Sequence, residues 1–139
     1  MNAKKYYFDT SIWLDFLEER DEPHFLKSTL IRQLIEKIVL SGDHIIVSDM
    51  NMMELEKLGY THYELAILFD ALRPLIIFIE SSQEQLRRAR DLAHKRAVPK
   101  ADALHALLAR EYSAFFIASD AHFKQLTDIV RAHRVEEFL

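Results

Sequence analysis

The sequence predicts an α/β protein in three layers, with a central parallel sheet of four to five strands flanked by helices. Short β-branched or aromatic runs alternate with longer stretches of helical periodicity along all 139 residues. The order, β-α-α-β-α-α-β-α-α-β-α-β, calls for a parallel sheet, because parallel neighbours need crossover connections. Half the residues are apolar and only 2 are Gly and 3 Pro, which suits a compact helix-rich chain and argues against disorder.

The elements follow in order. Lys5 to Phe8 is short and aromatic and reads as a strand ending at Asp9. Asp9, Thr10 and Ser11 can each cap the helix carrying Ile12, Trp13, Phe16 and Leu17. The charged stretch Arg20 to Pro23 breaks that pattern. Leu26, Leu30, Leu34 and Ile38 recur at spacing four, with Ile31 and Ile35 beside them, and Gly42 closes this second helix. Ile45 to Val47 is the second strand. Ser48 or Asp49 caps a helix through Leu58, and Gly59 ends it. Tyr60 to Leu72 is amphipathic and is stopped by Pro74. Leu75 to Ile79 is the third strand. Ser81 with Glu84 has capping-box spacing and opens a helix through about Arg96. Pro99 marks the first turn of the next helix, which runs through about Tyr112. Ala114 to Ala118 is the fourth strand, Asp120 starts a short helix, and Ile129 to Val130 is a last strand before a helical tail. There is no repeat or linker, so residues 1–139 are expected to form a single domain.

Composition narrows the chemistry. There are no cysteines, which excludes disulfides, Fe–S clusters, Cys-based zinc sites and thiol nucleophiles. No run of 18 apolar residues exists and the N-terminus lacks a signal-peptide core, so a cytoplasmic protein with no membrane partner is expected. With 18 basic and 22 acidic residues the formal charge is −4, not the balance of a general basic nucleic-acid-binding surface.

The informative residues are acids. Asp9 and Asp120 follow strands, Asp102 lies in a first helical turn where the helix dipole favours a carboxylate, and Glu54 or Glu56 lies inside the remaining βα unit. Two residues apart on a helix means opposite sides, and periodicity does not choose between Glu54 and Glu56. Each acid alone reads as readily as a cap or a solvated helix residue. Jointly they fall where an open α/β sheet gathers its strand ends into one crevice. Such a cluster of carboxylates asks for a hard cation such as Mg²⁺ or Mn²⁺, a common device for cutting phosphodiesters. A zinc site is not expected: seven histidines are present, but no His-Glu-x-x-His and no close His pair. His105, three residues after Asp102, reads as a packed neighbour of the site rather than a ligand.

Four segments together resemble the PIN domain, a small α/β nuclease family, and most closely the toxins of virulence-associated (VapBC-type) toxin–antitoxin pairs. They are Tyr7-Phe8-Asp9-Thr10-Ser11, Val47-Ser48 with Glu54 six residues on, Asp102-Ala103-Leu104-His105-Ala106, and Ile117-Ala118-Ser119-Asp120-Ala121-His122-Phe123. The resemblance runs the length of the chain. It implies a PIN-like fold and a Mg²⁺- or Mn²⁺-dependent ribonuclease whose metal and catalytic residues are Asp9, Glu54, Asp102 and Asp120, choosing Glu54 over Glu56. Thr10 or Ser11 supplies the supporting hydroxyl, with Ser119 and His122 beside the last acid. It further implies an RNA substrate, products with 5′-phosphate and 3′-hydroxyl ends, a homodimer and an antitoxin partner. Two positions depart from the family pattern: Ala118, where many relatives carry Thr or Ser, and His122, where some carry another acid. They motivate the alternative of a catalytically weak or inactive PIN-fold module that binds RNA or protein. Phosphotransfer folds are disfavoured, because Ser11 stands where a dehalogenase-like phosphatase needs a second Asp, and no phosphate-binding Gly-rich loop is present.

Two surface features complete the reading. Arg87, Arg88 and Arg90 read as a solvated helix face, whereas His94, Lys95, Arg96 and Lys100 read equally as that face or as a rim contacting substrate phosphates. The stripe of Trp13, Phe16, Leu17, Phe25 and Leu26 reads as core, and the resemblance implies that early helices also build a dimer face and an antitoxin groove.

Overall fold

The computed structural model describes residues 3–19, 26–119 and 121–139, with only the backbone of Ala121 and His122. Phe25 and Asp120 therefore lie outside the described residues. Five parallel strands, β1 (Lys5–Phe8), β2 (His44–Ser48), β3 (Ile76–Ile79), β4 (Phe115–Ile117) and β5 (Ala132–His133), form one sheet in the order β3-β2-β1-β4-β5. The register places Tyr7 opposite Ile46 on one side and Phe116 on the other. Among the described residues six helices cover the sheet: α1 (Thr10–Leu17), α2 (Lys27–Ser41), α3 (Asp49–Lys57), α4 (His62–Ala71), α5 (Gln83–Arg96) and α6 (Lys100–Glu111). The fold is the α/β arrangement that the alternating periodicities predict.

Alternation along β1 divides the core. Tyr7 points to one face, where it meets Ile46, Phe116, Phe123 and the Ala- and Leu-rich inner sides of α5 and α6. Tyr6 and Phe8 point to the other, where Trp13, Ile31, Leu34, Ile38, Leu55, Leu65 and Phe69 pack. A buried Leu such as Leu34 stabilises the fold by about 1.5–3 kcal/mol, so each helix is held chiefly by this face. Helix propensity adds far less. Leu26 is 52% exposed, so the apolar stripe does not enter the core at that end.

Several boundaries differ from expectation, each for a visible reason. The capping box of α5 is Ser82 with Gln85, not Ser81 with Glu84. Ser81 is already engaged, its amide and hydroxyl both donating to Asp49 Oδ1 at 3.1 and 2.5 Å. A second box, Thr61 with Glu64, starts α4. Leu75 ends a 3-10 turn rather than opening β3. Pro99 sits at the cap of α6, one residue before the helix. Ile129 and Val130 are not a strand: both amides return to the Leu126 carbonyl at 2.9 and 3.0 Å, closing the 3-10 segment Ala121–Leu126. The last strand comes three residues later, and the tail Val135–Phe138 is a 3-10 turn. No helix among the described residues is long and apolar enough to cross a membrane.

The strand order sets the site. The chain builds outwards from β1 through β2 to β3, then returns to place β4 and β5 on the other side. The direction reverses at β1, and in open parallel sheets the crevice at the carboxyl ends beside such a reversal is where ligands bind.

Candidate active site

Asp9 leaves β1 at that reversal. Its amide donates to the Ile117 carbonyl of β4 at 2.9 Å, pinning it between the two diverging strands. It occupies the cap position of α1 but makes no side-chain capping bond, so the carboxylate is available for other contacts. The side chain is buried, and Ser11 Oγ donates to its Oδ2 at 2.6 Å. Burial raises the Asp9 pKa above its ordinary 3.8 and the Glu54 charge adds to this, while His105 and the Ser11 hydrogen bond oppose it.

Glu54 and Glu56 separate cleanly. Glu56 points outwards towards His62 at 3.7 Å, and Glu54 turns into the crevice. Ser48 caps α3 and Asn51 completes the box, which fixes the helix rotation. One turn on, Glu54 Oε1 accepts from Thr10 Oγ1 at 2.7 Å and from His105 Nε2 at 2.5 Å. Burial alone would raise the Glu54 pKa, but the His105 and Thr10 hydrogen bonds reverse this and hold it below its usual value. The anion is the favoured form there.

Behind these contacts lies a closed circuit of hydrogen bonds. His105, fully buried on α6, meets the Tyr7 hydroxyl through Nδ1 at 2.6 Å. Tyr7 meets Ser48 Oγ at 2.6 Å, and Ser48 meets Asn51 Oδ1 at 3.1 Å. Asn51 Nδ2 donates to Thr10 Oγ1 at 2.9 Å, and Thr10 returns to Glu54. Burial, reinforced by the Asp9 and Glu54 charges, pushes the Tyr7 hydroxyl well above its ordinary value despite the Ser48 hydrogen bond, so it stays protonated and can donate. With Glu54 ionised, His105 Nε2 donates to it, while Nδ1 is engaged by the Tyr7 hydroxyl. Both ring nitrogens are thus occupied, and His105 is a brace rather than a metal ligand.

Asp102 lies in the first turn of α6, one turn before His105 and partly buried. Ser119 is exposed just beyond β4. Asp120 and the His122 side chain lie outside the described residues. Among the described residues no group of three His, Asp or Glu side chains is gathered closely enough to hold a metal ion. The available donors are nevertheless all carboxylate oxygens, with one acid buried and the neighbouring imidazole nitrogens engaged. That set suits hard cations such as Mg²⁺ or Mn²⁺ and not zinc.

Of the proposed rim, His94, Lys95 and Lys100 are exposed, but Arg96 is committed. Its guanidinium grips Asp128 in a bidentate pair at 2.7 and 2.8 Å and the Gln125 carbonyl at 2.9 Å. Tyr7, Ser48 and Asn51 were not singled out from sequence as parts of the site. The Ser48-x-x-Asn51 spacing, a capping pattern, was the available signal.

Comparison with known proteins agrees with this architecture. One chain of VapBC-1 from nontypeable Haemophilus influenzae superposes with a TM-score of 0.64 at 19% identity, covering 95% of this chain and 98% of that one. No curated protein sequence matches. The family model of the PIN domain matches residues 6–129, nearly the whole sequence, and the chain belongs to the PIN domain family.

Proposed function

We propose that this protein is a metal-dependent endoribonuclease, and that Asp9, Glu54, Asp102 and Asp120 of its single 1–139 domain are the metal-binding and catalytic acids. The observation that carries the reading is the buried Asp9 carboxylate facing an ionised, braced Glu54 at the sheet reversal of a PIN fold. A divalent ion held there would activate water and offset charge on the phosphate oxygens and the departing 3′-oxygen. The chain's own contribution is placement. Ser11 orients Asp9, Thr10 and His105 orient Glu54, and the dipole of α6 favours the Asp102 anion.

The fold likeness to VapBC-1 supports a role as the toxin of a toxin–antitoxin pair, acting in the cytoplasm as a homodimer restrained by an antitoxin protein. The test is cleavage of RNA by purified protein with Mg²⁺, Mn²⁺ or chelator, with Asp9→Asn and Asp102→Asn as controls. Cleavage that survives chelator, or that Asp9→Asn leaves unchanged, would sink the assignment.

A second reading is a PIN-fold module without catalysis, which binds RNA or protein. Ala118, where many relatives carry a hydroxyl, favours it. Calorimetric titration with Mn²⁺ separates the two, because a non-catalytic module shows no binding that depends on Asp9.

A further inference from the structure

A cleft opens just past the end of β4, beside the segment that Arg96 ties to α5. About 510 Å³ in volume, it is lined by Ser119, Lys124, Thr127, Arg131 and Arg134, with Ala118, Phe123 and Ala132 as its floor. Among the described residues its lining carries three cations, two hydroxyls and no acid. On a chain of net charge −4 that local balance is the reverse of the average. The cleft begins at Ala118 and Ser119, directly after Ile117, whose carbonyl receives the Asp9 amide. Its mouth therefore adjoins the acidic crevice.

The shelf is firmly mounted. Phe123 and Leu126 are buried and anchor the 3-10 segment, and the Arg96 clamp on Asp128 and Gln125 ties that segment to α5. The cations themselves are loosely committed. Arg131 pairs with Glu137 at 2.8 Å and Arg134 with Glu136 at 3.9 Å, both on the exposed surface. Exposed pairs of this kind are worth little in water, and a phosphate can displace them.

We propose that this cleft binds the phosphates of single-stranded RNA on one side of the bond to be cut, with Lys124, Arg131 and Arg134 as the phosphate contacts. The proposal rests on the nuclease reading for its purpose, although not for its binding chemistry. The volume matches a small-ligand site and admits a stretch of strand rather than a duplex. The hydroxyls and arginine forks suit phosphate oxygens, and the contacts carry no base preference. The substrate track thus lies along β4, β5 and the segment between them. Arg90, exposed on α5 outside the cleft lining, is its control.

The experiment measures binding of a fluorescein-labelled mixed-sequence 12-nucleotide RNA in chelator, by anisotropy, across a salt series. The proteins are wild type, Lys124→Glu with Arg131→Gln, the neutral pair Lys124→Gln with Arg131→Gln, and the α5 control Arg90→Glu. The expected result is a loss of about tenfold in affinity for both cleft variants and a salt slope flatter by about 1.4, that is, two phosphate contacts at about 0.7 each. The control should bind as wild type. Wild-type affinity and slope in both cleft variants, or an equal loss in Arg90→Glu, overturns the proposal. So does poly-glutamate displacing RNA at equal charge concentration, which would assign the cleft to an acidic protein segment. Cleft-dependent binding without metal-dependent cleavage would leave the cleft standing and remove the nuclease. Carboxylate-dependent cleavage with unaltered cleft variants would do the opposite.

Discussion

The two walls of the crevice are built in opposite ways. The wall made by β1, α1, β2, α3 and α6 is a circuit of six side chains whose hydrogen bonds close on one another: Thr10, Glu54, His105, Tyr7, Ser48 and Asn51. Removing a member strands a buried polar partner at about 1–3 kcal/mol, so this wall has one geometry. The wall beyond β4 presents Lys124, Arg131 and Arg134 on the surface, the two arginines in exposed ion pairs. Rearranging those pairs costs little. A fixed wall suits the holding of an ion within a few tenths of an ångström. An adjustable one suits a strand whose phosphates arrive in varied conformations.

The contrast is sharpest at Asp9. Asp9→Asn should lower metal-dependent RNA cleavage by about 10²-fold or more, while the metal-free protein becomes more stable. The folded carboxyl holds its proton more tightly than the unfolded one. Stability therefore falls as pH rises from 3.8 through the raised folded value, and the ionised group opposes folding at neutral pH. Thermal melts in chelator at pH 7 check this, and a lower Tm for Asp9→Asn would break the account.

Next in size is His105→Ala. It should cost about 1–3 kcal/mol by leaving Tyr7 and Glu54 without their partner. It should also lower cleavage about 10–100-fold, as losing a ligand's brace does. RNA affinity should not move, because this wall holds no phosphate. Urea melts and anisotropy measure the two halves separately, and a parallel loss of RNA binding would erase the distinction between the walls.

The smallest effect belongs to Arg96→Ala, which loosens the shelf of the adjustable wall. Arg96 holds the Asp128 carboxyl at about 2, below its ordinary 3.8. The clamp is fully present above 3.8 and is lost as pH falls towards 2. Wild type and variant should therefore differ slightly at pH 6 and converge near pH 2. A gap that persists in acid would mean that Arg96 acts through packing instead.

The acids were legible in sequence because each sits at or near a junction that periodicity marks, such as Asp9 after an aromatic run and Asp102 in a first turn. Choosing Glu54 over Glu56 required the rotation of α3, which the Ser48–Asn51 box determines and hydropathy does not. The circuit was hidden for another reason: Tyr7 meets Ser48 41 residues away and His105 98 residues away. No local pattern reports such pairings. The misplaced cap and last strand have different causes: Ser81 is held by Asp49, 32 residues away, whereas Ile129 and Val130 close a local turn on Leu126 that their β-branched character does not report. The cleft escaped notice because its cations are spread over a turn, a loop and a strand end, whereas those of α5 crowd one interval.

Trp13, the only tryptophan, stands four residues after Asp9 with its indole fully buried between Phe8 and Phe69, at ring separations of 5.1 Å from each. Its emission should be blue-shifted in the folded protein and should redden as α1 detaches. The molecule thus carries a built-in optical gauge of whether its first helix is seated, readable without any attached dye.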